Sequence, residues 1–67
     1  MVLTLEKAEK LRKRTSIIYT HFDSVDSDEV KWVGLRYNKS GEVVGLCEDD
    51  DGNIWWGYLY QFHTFDR

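Results

Sequence analysis

Residues 49–53, Asp-Asp-Asp-Gly-Asn, gather carboxylates at the spacing of a cation-binding turn, and chemistry is sought there first. Asp49, Asp51 and Gly52 match the third, fifth and sixth positions of a calcium loop. That register puts Cys47 at the first position, where an Asp is needed, and Tyr58 at the twelfth, where a bidentate Glu closes the shell. The run is therefore expected to be a hairpin turn that uses Asp and Gly for their backbone habits, with no metal. His21 with Asp23, and His63 with Asp66, offer two ligands apiece, short of a zinc set. Nucleophilic catalysis would fall to Cys47, but nothing in its local sequence marks the thiol as activated, and a lone strand cysteine reads as a small buried hydrophobe. No glycine-rich loop opens a helix to hold phosphate, and the carboxylates lie in turns where water keeps them ordinary. The chain is expected to be no enzyme, with no catalytic, cofactor-binding or metal-binding residue.

Aromatic side chains are the stronger signal. From Ile54 to Phe62 the chain reads Ile-Trp-Trp-Gly-Tyr-Leu-Tyr-Gln-Phe. With period two, Ile54, Trp56, Tyr58, Tyr60 and Phe62 share one face, and Trp55, Gly57, Leu59 and Gln61 the other. The continuous aromatic row suits a core. The second row is more hydrophobic than solubility requires, so a contact surface is expected there. Trp32 and Arg36, opposite Val33, Leu35 and Tyr37 in an earlier strand, are placed on the same surface. The candidate partner-binding set is Trp32, Arg36, Trp55 and Leu59, with Asp49, Asp50 and Asp51 of the acidic turn.

The elements that must position these residues are legible from caps, periodicity and turns. Thr4 reads as an N-cap, and Leu5, Ala8 and Leu11 lie on one face of a helix expected over residues 4 to 14. Glu6 to Lys10 and Glu9 to Lys13 are i,i+4 pairs in the favourable order. A helix this short cannot stand alone in water and must pack on something. Four β-prone segments follow: 16–22, 30–37, 42–48 and 54–62. An acidic loop, 23–29, separates the first two. Asn38 to Gly41 and Asp49 to Asn53 supply hairpin turns, with Gly41 and Gly52 taking positive φ. The expected architecture is α+β: one amphipathic helix on a small twisted antiparallel sheet of about four strands.

The 67 residues allow one domain, residues 1–67, and scaling laws give it roughly 4,400 Å² of folded surface, so the core is marginal. An aromatic content of 15% is one route to enough burial without disulfides or metal. One cysteine forms no internal bridge, and no apolar run reaches the length of a membrane span or signal-peptide core, which together favour a cytoplasmic setting. The net charge of −3 is uneven. Residues 1 to 14 carry +3 and the remainder −6, a field that draws basic partners and repels phosphate backbones.

Ile17-Ile18-Tyr19, the acidic stretch from Asp23 to Glu29, and the run from Glu48 to the paired Trp55-Trp56 resemble, in order, an SH3 domain's opening aromatic motif, acidic loop and paired tryptophans. The resemblance implies an SH3-like small β-barrel, here with an added helix, and a groove for proline-rich peptides to which Tyr19 and Trp55 would contribute. It covers about half the chain, and no proline-containing motif follows the tryptophans. The sequence as a whole points to a small acidic protein-binding module. It would act as an adaptor or inhibitor that docks an aromatic face and acidic loops onto a larger protein with a basic or aromatic surface. Self-association as a homodimer is the competing use of such a face. Stacking of single-stranded nucleic acid on Trp32, Trp55, Arg36 and Lys39 is the alternative, disfavoured by the surrounding acidity.

Overall fold

A computed structural model describes residues 2–21 and 26–65. Phe22, expected to end the first strand, and Asp23, Ser24 and Val25 of the acidic loop lie outside the described residues. So do Met1, Arg67 and Asp66, the proposed partner of His63.

The helix is shorter than its charge pattern suggests. α1 spans Leu5–Lys10, and the Thr4 side chain caps it by accepting the Lys7 N–H at 3.3 Å. Leu11 is already extended and returns its N–H to the Ala8 carbonyl. Arg14 then takes a φ of 75°. Its N–H donates to the Trp32 carbonyl at 2.7 Å, and Thr15 accepts the Trp32 N–H at 2.8 Å. These bonds to a strand outweigh the small helical preference of residues 11–14, whose continued helix would have been solvent-bound. Lys13 falls beyond the helix, while Glu6 and Lys10 do approach to 3.7 Å, fully in water. Ala8 and Leu3 are buried and Leu11 packs on them; Leu5, expected on the buried stripe, is exposed.

Five strands form one antiparallel sheet: β1 (Ser16–Thr20), β2 (Ser27–Tyr37), β3 (Val43–Glu48), β4 (Ile54–Tyr58) and β5 (Phe62–His63). Their order is β4-β3-β2-β1-β5. Both expected hairpin turns are present and share one design. Asn38 Oδ1 accepts the N–H of Ser40 and of Glu42, and Asp49 Oδ1 accepts the N–H of Asp51 and of Asn53, each at 2.9 Å. Gly41 and Gly52 close the two turns at φ of 83° and 84°.

The fifth strand arises because the aromatic run from 54 to 62 is not continuous. It stops at Tyr58, turns once as a 3-10 helix over Leu59–Gln61, and resumes as β5. Gln61 holds that break: its Oε1 accepts the Tyr58 N–H at 2.8 Å while its Nε2 donates to the Thr20 carbonyl at 3.0 Å.

A bulge between Trp32 and Gly34 switches the parity of β2. Ahead of it Val30 and Trp32 point inward; beyond it Leu35 packs inward and Arg36 lies on the outer face. Trp32 is 1% exposed and forms the centre of the core with Phe62, Ile17, Leu3, Cys47 and Tyr19. Trp32, Cys47 and Trp55 are cross-strand neighbours, as are Leu35, Gly45 and Gly57. The inner face of β4 is thus the Trp55–Gly57 row. Its two central positions across β3 and β4 are glycines because the rings fill that space: a Cβ on Gly45 would sit 2.7 Å from Trp32, and one on Gly57 2.5 Å from Tyr19.

Candidate functional site

The aromatic strand turns outward the row that the alternation assigned to the core. Ile54, Trp55 and Trp56 are 56%, 44% and 48% exposed, and Tyr60 stands out of the 3-10 turn. Trp56 meets Tyr58 edge to face at 5.4 Å, and Tyr58 stacks on Tyr60 at 5.6 Å, so exposed rings run from β4 to the turn. Trp55 belongs to the inner row but sits at its rim, beyond the point where Cys47 and Trp32 fill the interior.

Two depressions flank this ridge. One, of about 380 Å³, is lined by Arg36, Tyr37, Lys39, Leu46, Ile54 and Trp56 among others. It holds two cations and no carboxylate in its lining, and among the described residues neither cation has an ion-pair partner. The second, of about 340 Å³, is lined by Tyr19, His21, Ile54, Trp55 and Trp56. It lies between the end of β1 and the free edge of β4. At its floor the Tyr19 O–H donates to the Trp56 carbonyl at 2.7 Å.

Carboxylates fix the rings of this second depression. Asp49 accepts the Trp55 indole N–H at 2.9 Å, and His21 Nε2 meets Asp28 at 2.7 Å. His21 lies edge-on between Tyr19, at 4.8 Å, and Trp55, at 5.8 Å. The Trp55 bond is the chief reason that the Asp49 carboxyl lies below the usual carboxylate range, with the turn N–H groups of Asn53 and Asp51 adding to it. Asp49 is therefore spent on the turn and on one tryptophan. Asp50 and Asp51 stand in solvent at the tip.

The expected binding set divides. Arg36 joins Trp55 and Trp56 around the first depression, so those positions are brought together. Trp32 does not belong: the bulge sends it into the core. Leu59 does not belong either, because the chain has left the strand at that point and the side chain packs on the core cluster. Trp56 and Tyr60, read as core residues, face water, and Tyr58 is half-buried. The missed surface residues are Ile54, Trp56 and Tyr37, the last 74% exposed. The signal that would have found them was the three strand glycines, which mark a bulge or a close approach and so identify the inward face.

Cys47 is fully buried, and that burial, helped by the charge of Asp49, pushes its thiol up to about 11, away from nucleophilic use. Among the described residues no three His, Cys, Asp or Glu side chains gather as a metal site, and no helix is long and apolar enough to cross a membrane. No protein-family model, curated protein or solved structure matches this chain.

Proposed function

We propose that this chain is a small protein-binding module whose docking surface is the ridge of Ile54, Trp55 and Trp56 with Tyr37 and Arg36 beside it. The observation that supports the reading most is the ridge itself: three large apolar side chains, adjacent on an edge strand, each about half exposed. Aromatic and aliphatic anchors of this kind carry most of the energy of protein interfaces, while the charged surroundings steer encounter. The acidic tip at Asp50 and Asp51 and the excess negative charge outside residues 1–14 suit a partner with basic groups around an apolar centre. An adaptor or inhibitor in the cytoplasm is the setting this reading carries. The finer fold assignment belongs with it: β1 touches both ends of the sheet, through its ladder to β5 and through the Tyr19 and Gln61 side chains to β4, which favours an SH3-like small barrel with an added helix.

The test is capture with a photoreactive group placed at Tyr37, in host cells, comparing the wild-type chain with Trp56→Ala and Ile54→Ala. Loss of one defined cross-linked protein in both variants, by about tenfold or more, is the expected result. Equal capture by all three chains overturns the reading.

One observation favours a second reading. The larger depression sets Arg36 and Lys39 beside Tyr37, Trp55 and Trp56 with no carboxylate in the lining, the combination on which single-stranded nucleic acid stacks. Binding to an oligonucleotide that weakens steeply with salt and disappears in Arg36→Glu would place nucleic acid ahead of protein as the ligand.

A further inference from the structure

The depression lined by Tyr19, His21, Ile54, Trp55 and Trp56 differs in character from its neighbour across the ridge. Its walls are aromatic and its flanks are anionic. Asp49 accepts the N–H of Trp55, and Asp28 meets Nε2 of His21. Each carboxylate holds its ring in a fixed plane, and the two rings stand perpendicular, at 90°. Negative charge bonded to a ring N–H also enriches the π-face that the ring presents, which favours a cation lying over it.

The aromatic character of the walls decides which cation. The Tyr19 hydroxyl is turned to the Trp56 carbonyl, the Trp55 indole N–H to Asp49, and His21 Nε2 to Asp28. A primary ammonium, with three N–H donors, or a guanidinium, with five, needs acceptors, and it finds them in water and at the exposed oxygens of Asp28 and Asp49 rather than on the rings. A trimethylated ammonium needs none. It gains from aromatic faces, apolar contact and a negative field, which is what these walls offer. We propose that this notch seats the trimethyllysine side chain of a partner protein against Trp55 and Trp56. The inference rests on the docking role of the ridge, since the notch is open and shares Ile54, Trp55 and Trp56 with it. Arg36 and Lys39 line the depression on the other side of the ridge, so a cation is directed to the Tyr19 side alone.

The experiment is a titration of the isotope-labelled chain followed by NMR, using tetramethylammonium chloride, sodium chloride at matched ionic strength, and two peptides that differ in one lysine, trimethylated or unmodified. The expected result is a saturable shift of the Trp55 indole N–H with tetramethylammonium, none with sodium, and about fivefold tighter binding of the trimethylated peptide. Trp55→Leu, followed through the backbone amides of His21 and Trp56, should abolish the response, and Asp49→Asn should weaken it. The second change keeps a hydrogen-bond acceptor on the turn, so it reads charge in a folded chain even where the first fails to fold. Lys10→Gln, on α1 and outside the lining of both depressions, should leave the response intact. Equal binding of the two peptides, or shifts that sodium reproduces, overturns the proposal, and tighter binding of free phosphocholine than of the trimethylated peptide overturns the assignment to a protein. If cation binding fails while Trp56→Ala still removes the captured partner, the notch assignment falls and the docking role stands. If tetramethylammonium binds but no partner depends on Trp56, the docking role falls instead.

Discussion

Adjacent tryptophans in this chain do different work from the third, and the cause is local. Trp32 is enclosed by Phe62 and by Gly45 of β3, whereas Trp56 shares a face with Leu46 and Ile54 and meets water. Trp32→Ala is expected to cost roughly 3–5 kcal/mol of stability, as a large buried cavity, and chemical denaturation would measure it. Trp56→Ala should cost well under half as much in the same assay, because its ring is already about half exposed. Cys47 gives a second expectation at this scale. Its thiol pKa is raised in the folded state, and burial raises the Tyr19 phenol as well. Groups of this kind contribute stability fully below their unfolded values and lose it as pH rises through the folded ones. The chain should therefore destabilise progressively from the ordinary thiol range toward pH about 11, with a shallower decline in Cys47→Ala. A slope unchanged by that substitution would remove the thiol from the account. Below that range, native Cys47 should resist alkylation until the chain unfolds.

At the level of elements, the glycines decide what faces in. Gly57→Ala places a methyl against the Tyr19 ring, and overpacking of this sort should lower stability by about 1–3 kcal/mol, read as a fall in Tm. Leu3→Asp should be severely destabilising and Leu5→Asp close to neutral, since the first is buried and the second is exposed. Much of this architecture was legible. The Thr4 cap, both Asx-type turns with their positive-φ glycines and the antiparallel meander follow from local chemistry that tertiary contacts do not disturb. What was not legible depends on long-range events. Residues 11–14 read as helix because their charges fit one, yet Arg14 and Thr15 are claimed by Trp32, distant in sequence. Strict alternation failed twice for the same reason: it assumes an unbroken strand, and both the bulge at Gly34 and the 3-10 turn at Leu59 break one. Trp32 thus went to the core and Arg36 to the surface, although period two had put them together. The carboxylate-fixed rings of the candidate site were out of reach of the sequence, because His21 and Trp55 meet only through the sheet order.

For the molecule as a whole, the sheet leaves two edges, and each is managed without a closing ladder. Val2 bridges His63, and Leu3 donates to the Phe62 carbonyl, covering β5. On β4 the Trp56 carbonyl is taken by Tyr19 and the Tyr58 N–H by Gln61. An unguarded edge strand rich in tryptophan invites edge-to-edge association. Gln61→Leu, which leaves the Tyr58 N–H and the Thr20 carbonyl without this partner, is expected to make the chain self-associate as concentration rises, seen by light scattering. The same seam has a consequence in time. The two hairpins of β2, β3 and β4 join near neighbours, but Tyr19 reaches across 37 residues and Gln61 across 41, so loop-closure entropy opposes these bonds until the meander exists. The seam should be among the last parts to form, absent from the folding transition state. Loosening it with Tyr19→Phe should accelerate unfolding while leaving the refolding rate nearly unchanged, a lopsided shift of the chevron, whereas weakening the Asp49 turn should slow refolding. Kinetic persistence of this protein then resides in two side chains at its closing seam, and the ridge beside that seam stays folded for as long as they hold.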